Sequence, residues 1–77
     1  MGDILLDFRP KITYANIKSL KKVANSLNIG QQLSVTIERT EAHRAGRIMQ
    51  VLKNNNYDYC TKGGHKNEFY IIGTRYK

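Results

Sequence analysis

Ile4-Leu5-Leu6-Asp7-Phe8 alternates, with Ile4, Leu6 and Phe8 on one side, and predicts a first strand. Pro10 stops it, because proline has no N–H to give to a ladder. From about Thr13 the period lengthens. Ile17, Leu20, Val23, Ala24 and Leu27 recur at three- and four-residue steps, one buried stripe of a helix. Thr13 suits the N-cap, and Lys18, Lys21, Lys22 and Asn25 fall on the wet face. Gly30 marks the turn that follows. Leu33, Val35 and Ile37 then alternate with Ser34, Thr36 and Glu38, a strand with one dry face.

A second helix is predicted from Thr40 or Glu41 to Lys53. Ala42, Ala45, Ile48, Met49 and Leu52 lie inward, and His43, Arg44, Arg47 and Gln50 outward. Asn54-Asn55-Asn56 ends it, since short polar side chains compete for backbone bonds. Tyr57–Thr61 and Glu68–Ile72 are rich in aromatic and β-branched residues and predict a hairpin. Its turn, Lys62–Asn67, has Gly63 and Gly64 to adopt positive φ, and Gly73 to Lys77 is expected to fray. The order is βαβαββ. It predicts an α/β two-layer sandwich, two helices on one face of a four-stranded mixed sheet, as a single domain over residues 1–77.

Charge changes the functional picture. Thirteen Lys and Arg against six Asp and Glu give +7 and a pI near 9.8, one footprint of a nucleic-acid-binding surface. The same charge suits an acidic protein partner. No apolar run approaches the roughly 20 residues that span a bilayer, and no signal-peptide pattern opens the chain. With one cysteine, no intramolecular disulfide is available. The expectation is a cytoplasmic protein without a membrane segment, monomer or homodimer.

Some residues carry a resemblance. Leu6-Asp7-Phe8-Arg9 at the end of the first strand and Gly30-Gln31-Gln32-Leu33-Ser34-Val35 at the start of the second are similar to the TusA/SirA-like sulfur carriers. Element order, spacing and length agree over nearly the whole chain. The resemblance implies that family's two-layer sandwich and a role in sulfur relay. Where the family has Cys-Pro-x-Pro, however, this chain has Thr13-Tyr14-Ala15-Asn16, without the persulfide-bearing cysteine. Arg9-Pro10-Lys11-Ile12-Thr13-Tyr14 and Arg44-Ala45 also resemble segments of the Alba-like nucleic-acid-binding proteins, with insertions needed to match both.

Catalytic and cofactor chemistry finds little footing. No phosphate-binding glycine loop is present, and Cys60, His43 and His65 lack zinc-ligand spacing. No serine or carboxylate has a partner placed for acid–base work. The expectation is a non-catalytic module without cofactor or metal. Cys60, the sole thiol, falls in a strand, where an inert side chain is expected rather than a relay nucleophile.

Three basic groups remain: Arg9 and Lys11 before the first helix, Arg44 and Arg47 with His43 on the second, and Lys62 and Lys66 with His65 at the hairpin tip. Arg9, Lys11, Arg44, Arg47, Lys62 and Lys66 are the candidate nucleic-acid contacts, binding phosphates by charge and by helix N–H groups. Tyr57, Tyr59, Tyr70 and Tyr76 suit either base stacking or cross-strand pairing within the hairpin. Nucleic acid is thus the first expectation for a partner. Relay proteins, docked directly or served through Cys60, come second, and an adaptor using the open sheet face third.

Overall fold

The computed structural model describes residues 3–77. The chain order is β1 (Ile4–Asp7), α1 (Tyr14–Ser26), β2 (Gln32–Glu38), a 3-10 segment (Arg39–Arg44), α2 (Gly46–Asn54), β3 (Tyr57–Gly63) and β4 (Glu68–Arg75). The sheet order is β1-β2-β4-β3, with β1 parallel to β2 and β4 antiparallel to both β2 and β3. β1, β2 and β3 therefore run one way, and each is followed or preceded by a helix running back. α1 and α2 consequently lie parallel, their N-termini at the end of the sheet where β1 and β2 finish.

The expected two-layer α/β architecture is what the chain adopts. Alternation sends Leu33, Val35 and Ile37 of β2 inward, where all three are fully buried with Leu20 of α1, Ile48 and Leu52 of α2, and Ile71 of β4. Burying a side chain of this size contributes about 1.5–3 kcal/mol. Gly73 lies beneath α2 because a Cβ there would stand 3.2 Å from a Leu52 methyl and 3.3 Å from the Tyr57 ring. Leu5, Ser34, Thr36, Tyr70, Ile72, Cys60 and Lys62 fall on the other face by register, which no helix covers.

α1 is capped at both ends. The Thr13 hydroxyl accepts from the Asn16 N–H at 3.1 Å while the Asn16 side chain accepts from the Thr13 N–H at 2.9 Å, a reciprocal box. At the other end Arg75 Nη1 donates to the carbonyls of Leu27 at 2.8 Å and Ala24 at 3.1 Å, and the Tyr57 hydroxyl donates to Ala24 at 2.8 Å. A cation on those orphan carbonyls also opposes the helix dipole. Burial pushes the Tyr57 phenol up, against the downward pull of Arg75.

Three expectations need correction. The segment expected to fray is structured: β4 continues to Arg75, whose N–H and C=O bond Gln31 and Gly30, and the Tyr76 N–H bonds Asn56. The reason is the Arg75 anchor on α1. The hairpin glycines do not carry positive φ; Lys66 does, at 53°. Gly64 is needed for space instead, because a Cβ would lie 2.6 Å from the Tyr70 ring. Finally, the second helix does not begin as α at Thr40 or Glu41. Residues 39–44 wind as 3-10, where side chains repeat every third residue. Ala42 lies in that winding and Ala45 closes it, three residues on, while Ile48 already belongs to α2. The Asn run stops α2 as expected, with Asn56 left-handed at φ 66°.

Candidate nucleic-acid interface

The parallel pair β1 and β2 delivers its carboxyl ends into two successive helices, and a cleft opens between those helix starts. Open α/β sheets place ligands at such an edge. The cleft, about 550 Å³, is lined by Ile12, Thr13, Tyr14 and Ile17 from one side and His43, Arg44, Gly46 and Arg47 from the other. Neither helix has an acidic residue in its first turn, and α2 has no side-chain N-cap. Neither helix's own first turn therefore sets an acidic side chain against the partial positive charge of its N-terminus.

Glu41 is the one nearby carboxylate tied into this wall. Its Oε1 accepts from the Ile12 N–H at 3.1 Å, which binds the 3-10 segment to the approach to α1. The Arg39 N–H, at the start of that segment, donates to the Asn67 carbonyl at 2.6 Å. The cleft wall is thus pinned to both the α1 approach and the hairpin. Gly46 meets no atom within 4 Å of an added Cβ, so the floor beside Arg47 is open to a ligand.

The six candidate cations all reach this end of the molecule, but not one surface. Arg44 and Arg47 line the cleft, and exposed Lys11 precedes α1 by two residues beyond Thr13. Lys62 points to the open sheet face opposite Tyr70 in register, and Lys66 is exposed in the hairpin turn. Arg9 is differently placed. Its Nη2 and Nε donate to the two Asp7 carboxylate oxygens at 2.7 and 2.9 Å, and its Nη1 to Glu68 at 2.9 Å. Asp7 and Glu68 belong to β1 and β4, so Arg9 clamps two strands separated by β2.

That clamp governs the local titrations. The Arg9 guanidinium holds the Asp7 carboxyl well below its usual value, at about 2, chiefly through the side-chain hydrogen bond. Asp7 in turn raises Arg9 further into its charged range. The Tyr70 phenol is pushed up by donating to Glu68 at 2.7 Å. Among the described residues both ion pairs are made by Arg9. Lys11, Arg44, Arg47, Lys62 and Lys66 pair with no carboxylate there.

The aromatic at the cleft is Tyr14, 73 % exposed, with the Lys18 ammonium 5.8 Å from its ring centroid. It was not among the four tyrosines expected to stack. Its position one residue past the N-cap was the available signal. Of those four, Tyr57 is buried, Tyr70 is half-buried and bonded to Glu68, Tyr59 lies on the β3 edge, and Tyr76 follows β4. Arg39 was also missed; its guanidinium lies 3.6 Å from where a Cβ on Gly63 would stand, beside the hairpin. Cys60 is exposed on the open face, on the strand farthest in order from β1. No group of three or more potential metal ligands gathers among the described residues, and no helix there is long and apolar enough to cross a membrane.

Compared with models of known protein families, with curated proteins and with solved structures, the chain matches none.

Proposed function

We propose that the protein is a non-catalytic module that binds the phosphate backbone of nucleic acid at the cleft between the two helix N-termini. The observation that carries this reading is the meeting of Arg44, Arg47 and two helix starts without acidic first-turn residues around one open cleft. Arg guanidinium groups present planar forks to phosphate oxygens, and backbone N–H groups at a helix start add to them. Lys11 extends the basic track on the α1 side, with Lys62 and Lys66 offering further charge at the hairpin. Tyr14 supplies a ring on which an unpaired base can stack. Arg9 acts as a strut within this site, since its donors are committed to Asp7 and Glu68.

About four to five phosphates neutralised on duplex DNA correspond to a log–log salt slope near −4. Fluorescence anisotropy with short single- and double-stranded DNA and RNA, from low to physiological salt, tests this. Micromolar or tighter binding at the upper end with that slope is the expected result. Binding that disappears there would reduce the +7 to a generic surface charge and overturn the reading.

Sulfur relay ranks second. The residue matching the carrier cysteine by resemblance is Thr13, whose hydroxyl is committed to the α1 cap, and Cys60 lies away from the cleft on β3.

A further inference from the structure

β3 is an edge strand seven residues long, paired continuously with β4 from Tyr57 to Gly63 without a bulge. Proteins usually shield such an edge, because its free N–H and C=O groups template another strand. Two observed hydrogen bonds fix which groups are free. Gly64 N–H bonds the Glu68 carbonyl and Tyr76 N–H bonds the Asn56 carbonyl, so the even-numbered residues of β3 turn their backbone groups toward β4. The odd-numbered residues, Tyr57, Tyr59, Thr61 and Gly63, turn theirs outward. Side chains alternate in step: Asp58, Cys60 and Lys62 share the open sheet face, and all three are exposed.

We propose that β3 pairs antiparallel with β3 of a second copy of this chain, about a two-fold axis at Cys60. In that register Tyr59 faces Thr61 of the other copy and Tyr57 faces Gly63. These odd residues exchange about eight backbone hydrogen bonds. Asp58 of each copy stands opposite Lys62 of the other, and Cys60 stands opposite Cys60 in a non-hydrogen-bonded pair. The sequence order of those three residues makes the strand self-complementary under a two-fold, which a symmetric interface requires. Shifting the axis by one residue in either direction would keep the odd residues' bonds but set Asp58 or Lys62 opposite Cys60, and both charge pairs would be lost. Shifting it by two would set Asp58 or Lys62 against itself. Tyr59, 41 % exposed at the edge, gains a β-branched neighbour across the strands. The assembled sheet has eight strands with the two clefts facing outward at opposite ends.

Charge swaps separate this register from net-charge effects. Asp58→Lys raises the formal charge from +7 to +9, Lys62→Asp lowers it from +7 to +5, and the double swap leaves +7. Sedimentation equilibrium in reducing buffer is the measurement, with circular dichroism confirming that each variant folds. The native chain is expected to show a reversible monomer–dimer equilibrium. Each single swap weakens it by at least about fivefold, because it sets like charges across both pairs, and the double swap restores it. If self-repulsion of the whole molecule were the control, Lys62→Asp would instead tighten the dimer. That outcome, a monomer at all concentrations, or a double swap that restores nothing, overturns the proposal. Under diamide, which takes two electrons and two protons from a pair of thiols, the native dimer is expected to form the Cys60–Cys60 disulfide. Dimers that form no disulfide under diamide would place the axis elsewhere.

Discussion

Two residues show how single side chains hold this end of the sheet. Asp7 titrates at about 2 in the fold against 3.8 in a free chain. A depressed carboxylate contributes stability that is present above about pH 4 and is lost as pH falls toward 2. Because Asp7 is largely exposed, the effect is modest. Urea midpoints at pH 5 and pH 2.5 are expected to differ less in Asp7→Asn than in the native chain. Equal differences would mean that the clamp adds nothing. Gly64→Ala is expected to cost about 1–3 kcal/mol, since the new methyl would lie 2.6 Å from the Tyr70 ring. A left-handed requirement would be relieved by Asn at that position, whereas steric crowding is worsened by it. Asn is therefore predicted to be worse than Ala. Neither role was readable from local sequence. Gly64 looks like an ordinary turn glycine, and the Arg9–Glu68 contact joins residues 59 apart.

At the scale of elements, periodicity did most of the work. The three-residue alternation of β2 and the Ile17–Leu20–Ala24 stripe of α1 depend on burial against a single face, and both appear where expected. Thr13 as N-cap was equally legible, because the capping signal is local. Thr13→Ala is expected to lower stability by about 1 kcal/mol in denaturant unfolding; no loss would show that α1 is held by packing alone. What periodicity could not supply was the far end of β4. Its persistence depends on Arg75 reaching the carbonyls of Ala24 and Leu27, some fifty positions away. The 3-10 segment was similarly hidden, since an apolar step of three fits both windings until tertiary bonds at Arg39 and Glu41 choose the tighter one.

For the whole molecule, the direction of the strands decides where charge gathers. Since β1 and β2 are parallel, both helix N-termini face one end, and the chain's Arg44 and Arg47 are delivered there. Composition announced a basic protein, but only topology distinguishes this end from the opposite one, where Lys21 lines a shallower hollow between the helix C-termini with Asn25, Val51, Asn54 and Asn55. The most direct test of the cleft compares two reversals of equal charge, Arg44→Glu with Arg47→Glu, and Lys21→Glu with Lys22→Glu. Each pair lowers the formal charge from +7 to +3. In anisotropy titrations at physiological salt, the cleft pair is predicted to lower nucleic-acid affinity at least about tenfold more than the far pair and to flatten the salt slope by about 2. Equal losses from the two pairs would contradict a defined site and leave only diffuse charge.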